Sequence, residues 1–256
     1  MMITIFSILP ALFYIFLVYL STPYGSIDTN KTPKYIFGGF ISALSILAIG
    51  WFLPTINDDL FLDYNSPIYT PNGIYYRHTM LTEFFSAFFQ AAAFEETMKF
   101  LLFYLLFKYF SKTDKKSSMY IIFSCMLIGA GFAMQENIVY AIRSAGTVGD
   151  TLLIRSFSAV FTHMVCGIIM GYFIAMGNRN TTYTKDISEF SIWMKRNTHL
   201  KKFVYSFFGI MAAIILHGIY DFNLFTGLGY LTPITILELT IAYFLFRDLK
   251  RKEFIR

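Results

Sequence analysis

Eight polar residues of this chain lie where polar residues are costly. Glu95, Glu96 and Lys99 interrupt one apolar run (FEETMKF). Glu136 and Asn137 interrupt a second (GFAMQENIVY), His163 a third (FTHMVCGIIMG), and His217 and Asp221 close a fourth (LHGIYDF). An ionisable side chain in mid-membrane costs about 2.5–3.5 kcal/mol on insertion scales, so each is a functional hypothesis by default. Their spacing is helical. Glu95 and Lys99 are four apart and Glu96 and Lys99 three apart, so Lys99 can pair with either carboxylate. His217 and Asp221 are also four apart and share a face, as do Phe132 and Glu136.

Carboxylates and imidazoles in a protected cavity suit the activation of water. A Glu takes a proton from water, while His and a further acid stabilise the oxyanion or protonate the leaving amine. One of Glu95 and Glu96 is the expected base, Glu96 ahead, with the other tied to Lys99. Glu136 and His163 complete the water site, supported by Asn137, and His217 with Asp221 faces the oxyanion or positions the scissile carbonyl. A second route has His163, His217 and a carboxylate such as Glu136 hold a divalent metal, zinc for example, that polarises the water. The metal-free route is slightly favoured, because Lys99 compensates charge beside the double Glu and no His-Glu-x-x-His is present. Both routes hydrolyse a bond presented within the membrane. No Ser or Cys sits in a nucleophile motif, and Cys125 and Cys166 lie inside apolar runs as buried small side chains.

Other polar residues read differently. Glu238, alone in the last run, is expected to hydrogen-bond across helices. His78 and His199 fall in polar connections and read as solvated. Arg155, near the start of its run, can snorkel to the interface.

The elements that position the eight are membrane spans. Hydrophobic residues make up 56% of the 256-residue chain and charged residues 14%, against about 25% charged in a soluble domain. Continuous apolar runs exclude an alternating-strand barrel, and 30 Phe with 18 Tyr exclude low-complexity disorder. The expectation is an all-α polytopic membrane protein, a single integral domain over 1–256 with a catalytic core at about 91–222. Seven runs have spanning length: Ile3–Leu20, Tyr35–Leu53, Ala91–Phe110, Met119–Ala141, Leu152–Met176, Phe203–Tyr220 and Tyr230–Phe246. Thr79–Gln90, ahead of the third, is also apolar and extends that helix, lies in the interface or re-enters. Pro54–His78, with turn signals at Ser66-Pro67 and Pro71-Asn72-Gly73, reads as a small external cap.

Connecting segments rich in Lys and Arg alternate with acidic or nearly uncharged ones. The net charge of +5 comes from these topogenic residues and does not indicate nucleic acid. The positive-inside rule gives seven spans, N-terminus outside and C-terminus cytoplasmic. Glu95, Glu96, Glu136, His217 and Asp221 then lie toward the outer ends of their spans. His163 lies roughly 16 Å into its own, at about 1.5 Å per residue. Gly129, Gly131, Gly167, Gly171 and Gly218 let these helices approach closely.

Glu-Glu-x-x-Lys at 95–99, Phe-x-x-x-Glu-Asn at 132–137, an intramembrane His at 163 and His-x-x-x-Asp at 217–221 resemble the PrsW family of intramembrane proteases. The specificity lies in their order, each on its own apolar run, over about Phe94–Phe222. The resemblance implies the wider superfamily of CAAX prenyl endopeptidases and bacteriocin-processing or self-immunity proteins, which typically has Arg after a wider gap and a His in the second motif. It implies a multi-pass bacterial cell-membrane protein that acts on single-pass membrane proteins, as in the first, external cut of an anti-sigma factor. The family has been described both as metalloproteases and as glutamate-dependent enzymes. Two other classes compete. An ion- or proton-coupled transporter also uses buried Glu, Lys and His, although related halves are not visible. A non-proteolytic peptide-binding or immunity protein has no need of the full charged set.

Overall fold

The computed structural model describes residues 2–21, 30–52, 67–70, 73–76, 79–110, 117–143, 148–178 and 198–254. Helices dominate them. They are α1 (Met2–Ser21), α2 (Thr32–Phe52), α3 (Met80–Phe85), α4 (Ala93–Phe110), α5 (Ser118–Arg143), α6 (Val148–Phe157), α7 (Ala159–Asn178), α8 (Thr198–Thr226) and α9 (Leu231–Phe254). A π-helical segment, Ser86–Ala92, joins α3 to α4. One antiparallel hairpin, β1 (Pro67–Thr70) with β2 (Gly73–Tyr76), lies within the expected cap. The rest of that cap, including His78, lies outside the described residues, as does the basic segment 179–197. The chain is an all-α integral membrane protein, apart from this hairpin. Among the described residues, three helical stretches are long and apolar enough to cross a membrane by themselves: Ser118–Ile142, Leu153–Asn178 and Thr198–Thr226.

Two expected boundaries move. Thr79–Gln90 is helical: Thr79 caps α3 through a reciprocal bond with Thr82, and the helix passes through the π segment into α4. The fifth run is two helices broken only at Ser158. Main-chain bonds still cross the break, from Ser158 N to Ile154 O (3.0 Å) and from Thr162 N to Ser158 O (2.8 Å).

α5 and α7 form the centre. Every residue from Met119 to Gln135 is buried, as expected of a helix surrounded by protein. α1, α2 and α4 pack on α5; α8 and α9 pack on α7; α8 also closes on the π segment. Close approach depends on glycine. A Cβ at Gly129 would run into the His163 carbonyl, one at Gly167 into the Cys125 carbonyl, and one at Gly218 into the Phe88 ring. Without dry-core hydrophobic driving force in lipid, such small-residue contacts carry helix association. Gly129 therefore fixes how near α5 and α7 lie at the level of His163.

Candidate active site

The eight polar residues come from α4, α5, α7 and α8, and these helices bring them together. On α4, Lys99 Nζ donates to Glu96 Oε1 at 2.7 Å and stands 3.5 Å from Glu95 Oε2. It also donates to His163 Nδ1 on α7 at 2.9 Å. The ammonium lies 3.9 Å from the centre of the Phe132 ring on α5, a cation–π contact. Lys99 thus joins both carboxylates, one imidazole and one aromatic face.

The two imidazoles have different partners. With Nδ1 of His163 accepting from Lys99, its Nε2–H donates to Glu136 Oε2 at 2.7 Å. His217 Nδ1–H donates to Glu96 Oε1 at 2.9 Å. Its Nε2 then faces Asp221 Oδ2 at 3.3 Å and Glu95 Oε2 at 3.8 Å. The rings stand edge to face, 4.9 Å apart.

Adjacent Glu95 and Glu96 end in different surroundings. Glu96 is fully buried, its Oε1 shared by Lys99 and His217. Glu95 keeps 15% side-chain exposure and, with Glu136, lines a cavity of about 220 Å³ between α2, α4 and α5. Glu95 Oε2 is buried without a hydrogen bond among the described residues. Of the two expected base candidates, Glu96, the favoured one, has no exposed surface, while Glu95 lines the cavity.

Arg155 does not snorkel. It is 7% exposed, with Nη2 2.7 Å from Glu136 Oε2 and Nε donating to Asn137 Oδ1 at 2.9 Å. Its guanidinium covers Tyr140 at 3.8 Å. The sequence signal was present, since Glu136-Asn137 needed a cationic partner and α6 leads straight into His163. Proximity of Arg155 to the end of an apolar run favoured the interface reading instead. Glu238 stays apart from the set, fully buried with both oxygens lacking a hydrogen bond among the described residues. His199 is exposed, and both cysteines are buried and free.

Glu95, His163 and His217 each offer one ligand atom, all within 4.8 Å of one another. The chemistry of the donors fits a divalent cation. A neutral His217 would aim the Nε2 lone pair at two carboxylate oxygens, a repulsive arrangement that an imidazolium proton or a metal relieves. Glu96 on the opposite ring nitrogen is the usual outer support of a metal-binding imidazole. Two imidazoles and a carboxylate match a catalytic zinc set with an open position, with His163 giving up its Lys99 or Glu136 contact to offer a ring nitrogen, since both nitrogens are engaged here. Here the carboxylate is Glu95 rather than Glu136, because Arg155 and His163 already occupy Glu136 Oε2.

Comparison with known proteins gives the same direction. A sequence model of the PrsW family of intramembrane metalloproteases matches residues 36–247. The chain is similar to Protease PrsW of Oceanobacillus iheyensis, 30% identical over 166 residues. That alignment covers 63% of this chain and 66% of the relative, just under two thirds of its length. No solved structure matches the chain.

Proposed function

The chain belongs to the PrsW family of intramembrane proteases, and on that premise we propose that it is an endopeptidase hydrolysing membrane-anchored proteins in the outer half of a bacterial cell membrane. One observation carries this reading: Glu95 and Glu136, beside the two imidazoles, form the polar end of a cavity otherwise walled largely by apolar side chains. A single integral domain carries the site, with residues 91–222 as the catalytic core. Seven spans with the N-terminus outside follow from the charge alternation. A reporter active only in the cytoplasm then works after Arg256 or near Lys195 and fails near Asp63 or Gly146; activity at Asp63 overturns this topology. A single-pass substrate of the anti-sigma-factor kind suits an external first cut.

Glu95, His163 and His217 would hold the metal that the family's description implies. When bound, such an ion polarises water and the scissile carbonyl. The remaining chemistry belongs to the chain. Glu136, with Oε1 free of the ion pair that engages Oε2, takes a proton from the attacking water. The water oxygen bonds to the carbonyl carbon, the C–N bond breaks, and the proton passes to the leaving nitrogen. Arg155 and Asn137 hold Glu136 in place. Glu96 fixes the His217 tautomer, Lys99 fixes Glu96 and His163, and Asp221 orients His217. Apolar walls restrict competing water.

The test incubates purified protein with single-pass membrane proteins, an anti-sigma factor among them, and identifies products by mass. Wild type cleaves and Glu136→Gln does not. Equal cleavage by both at equal abundance sinks the reading.

A further inference from the structure

The cavity beside Glu95 and Glu136 has a use for its other end. α2 and α4 run antiparallel and meet at the Tyr35 end of α2. Tyr35 stacks on Phe103 at 6.5 Å, and a Cβ at Gly38 would meet the Leu106 side chain. Toward the other end Ala43, Ile46 and Leu47 of α2 and Glu95 of α4 line the cavity together. The far wall is α5, with Phe132, Gln135, Val139 and Tyr140. α5 and α2 are already in main-chain contact beside the cavity, where a Cβ at Gly39 or Gly131 would meet the other helix's backbone.

The walls state what fits. A cavity of about 150 Å³ lined by aliphatic and aromatic groups accepts benzene, so 220 Å³ has room for one aliphatic or phenyl side chain. Gln135 is the second observation. It is 5% exposed and lines the cavity. The two donors and one acceptor of its amide match a peptide main chain. A helical span offers no free main-chain groups, since each is bonded within the helix. The occupant is therefore an unwound stretch.

We propose that this cavity is a substrate subsite, taking one uncharged apolar side chain next to the scissile bond while the Gln135 amide hydrogen-bonds the substrate's unwound main chain. The proposal rests on the protease reading and assigns its specificity. Acidic side chains are refused by Glu95 at the polar end. Residues that weaken the substrate helix near the cut promote cleavage.

The experiment uses the full chain in membranes and a single-pass reporter varied at one position among Ala, Leu, Phe, Trp and Asp. Wild type prefers Leu or Phe. Val139→Ala moves the preference toward Trp and Ala43→Leu toward Ala, each by roughly tenfold in relative kcat/KM, the lower end for a methylene-scale change in an apolar pocket. Gln135→Leu raises KM without changing that order. In parallel, a photo-crosslinking residue at position 139 of the Glu136→Gln chain forms an adduct with the reporter, and one at the exposed position 101 does not. An unchanged order of preference in both wall variants overturns the subsite, as does equal crosslinking from 139 and 101. An adduct from 139 with no cleavage by wild type supports the subsite and sinks the protease reading, so the two failures are distinct.

Discussion

The site has a sealed side and an open side, and Glu96 and Glu95 stand on one each. On the sealed side, Glu96, Lys99 and His217 Nδ1 satisfy one another out of reach of solvent. On the open side, Glu95 and Glu136 keep 15% and 22% side-chain exposure at the polar end of the cavity. Neighbouring residues on a helix point about 100° apart, and that rotation separates a sealed carboxylate from one that lines the cavity. A repeated residue in a motif therefore does not imply a repeated environment. The open side also has its own rigid backing, Arg155 on Glu136, as Lys99 backs the sealed side.

The largest expected effects lie on the open side. Alanine at Glu95, Glu136, His163 or His217 lowers cleavage by about 10²–10⁴-fold, the range for loss of an acid–base group, with unchanged abundance in the membrane. Abundance falling in step with activity would make these residues structural. Metal content sharpens the contrast: purified protein holds about one equivalent, chelation abolishes cleavage, and Glu95→Ala loses the metal while Glu136→Ala keeps it. Full activity in metal-free protein would transfer the base role to Glu95. Next comes Arg155→Ala, with a loss of about 10–100-fold, typical of an outer partner, and partial recovery in Arg155→Lys. A change in kcat with KM unaltered identifies Arg155 as positioning Glu136. The smallest effect is at Glu238. Its carboxyl is buried beside Thr162 with no hydrogen bond of good geometry among the described residues, so Glu238→Leu removes a costly group. Cleavage should change by less than about threefold; a hundredfold loss would place Glu238 in the site.

Much of this was legible before any coordinates. The costly residues announced themselves by sitting in apolar runs, and helical spacing already paired Lys99 with both carboxylates. Long apolar stretches gave α5 to within two residues at each end, whereas α8 begins five residues before its expected run and ends six after it. What one dimension hid was rotation and convergence. Nothing in FEETMKF says which Glu faces a cavity, because that depends on the phase set by the π segment and by α8 closing on it through Gly218. Arg155 escaped because interface snorkelling and pairing with Glu136 begin from the same local sequence. The break at Ser158 escaped because a single interrupted residue leaves the apolar run intact.

α4 carries Glu95, Glu96, Lys99 and Lys108 and is not among the three helices apolar enough to cross a membrane unaided. Its charges are matched by His163 and His217, which the ribosome adds 64 and 121 residues after Lys99 and Glu96 respectively. Within α4 itself Lys99 offsets Glu96 and stands near Glu95, and the later helices supply the remaining partners. A chain truncated before α8 is therefore expected to hold α4 in the bilayer less firmly than the full chain, as read by glycosylation mapping of the flanking segments.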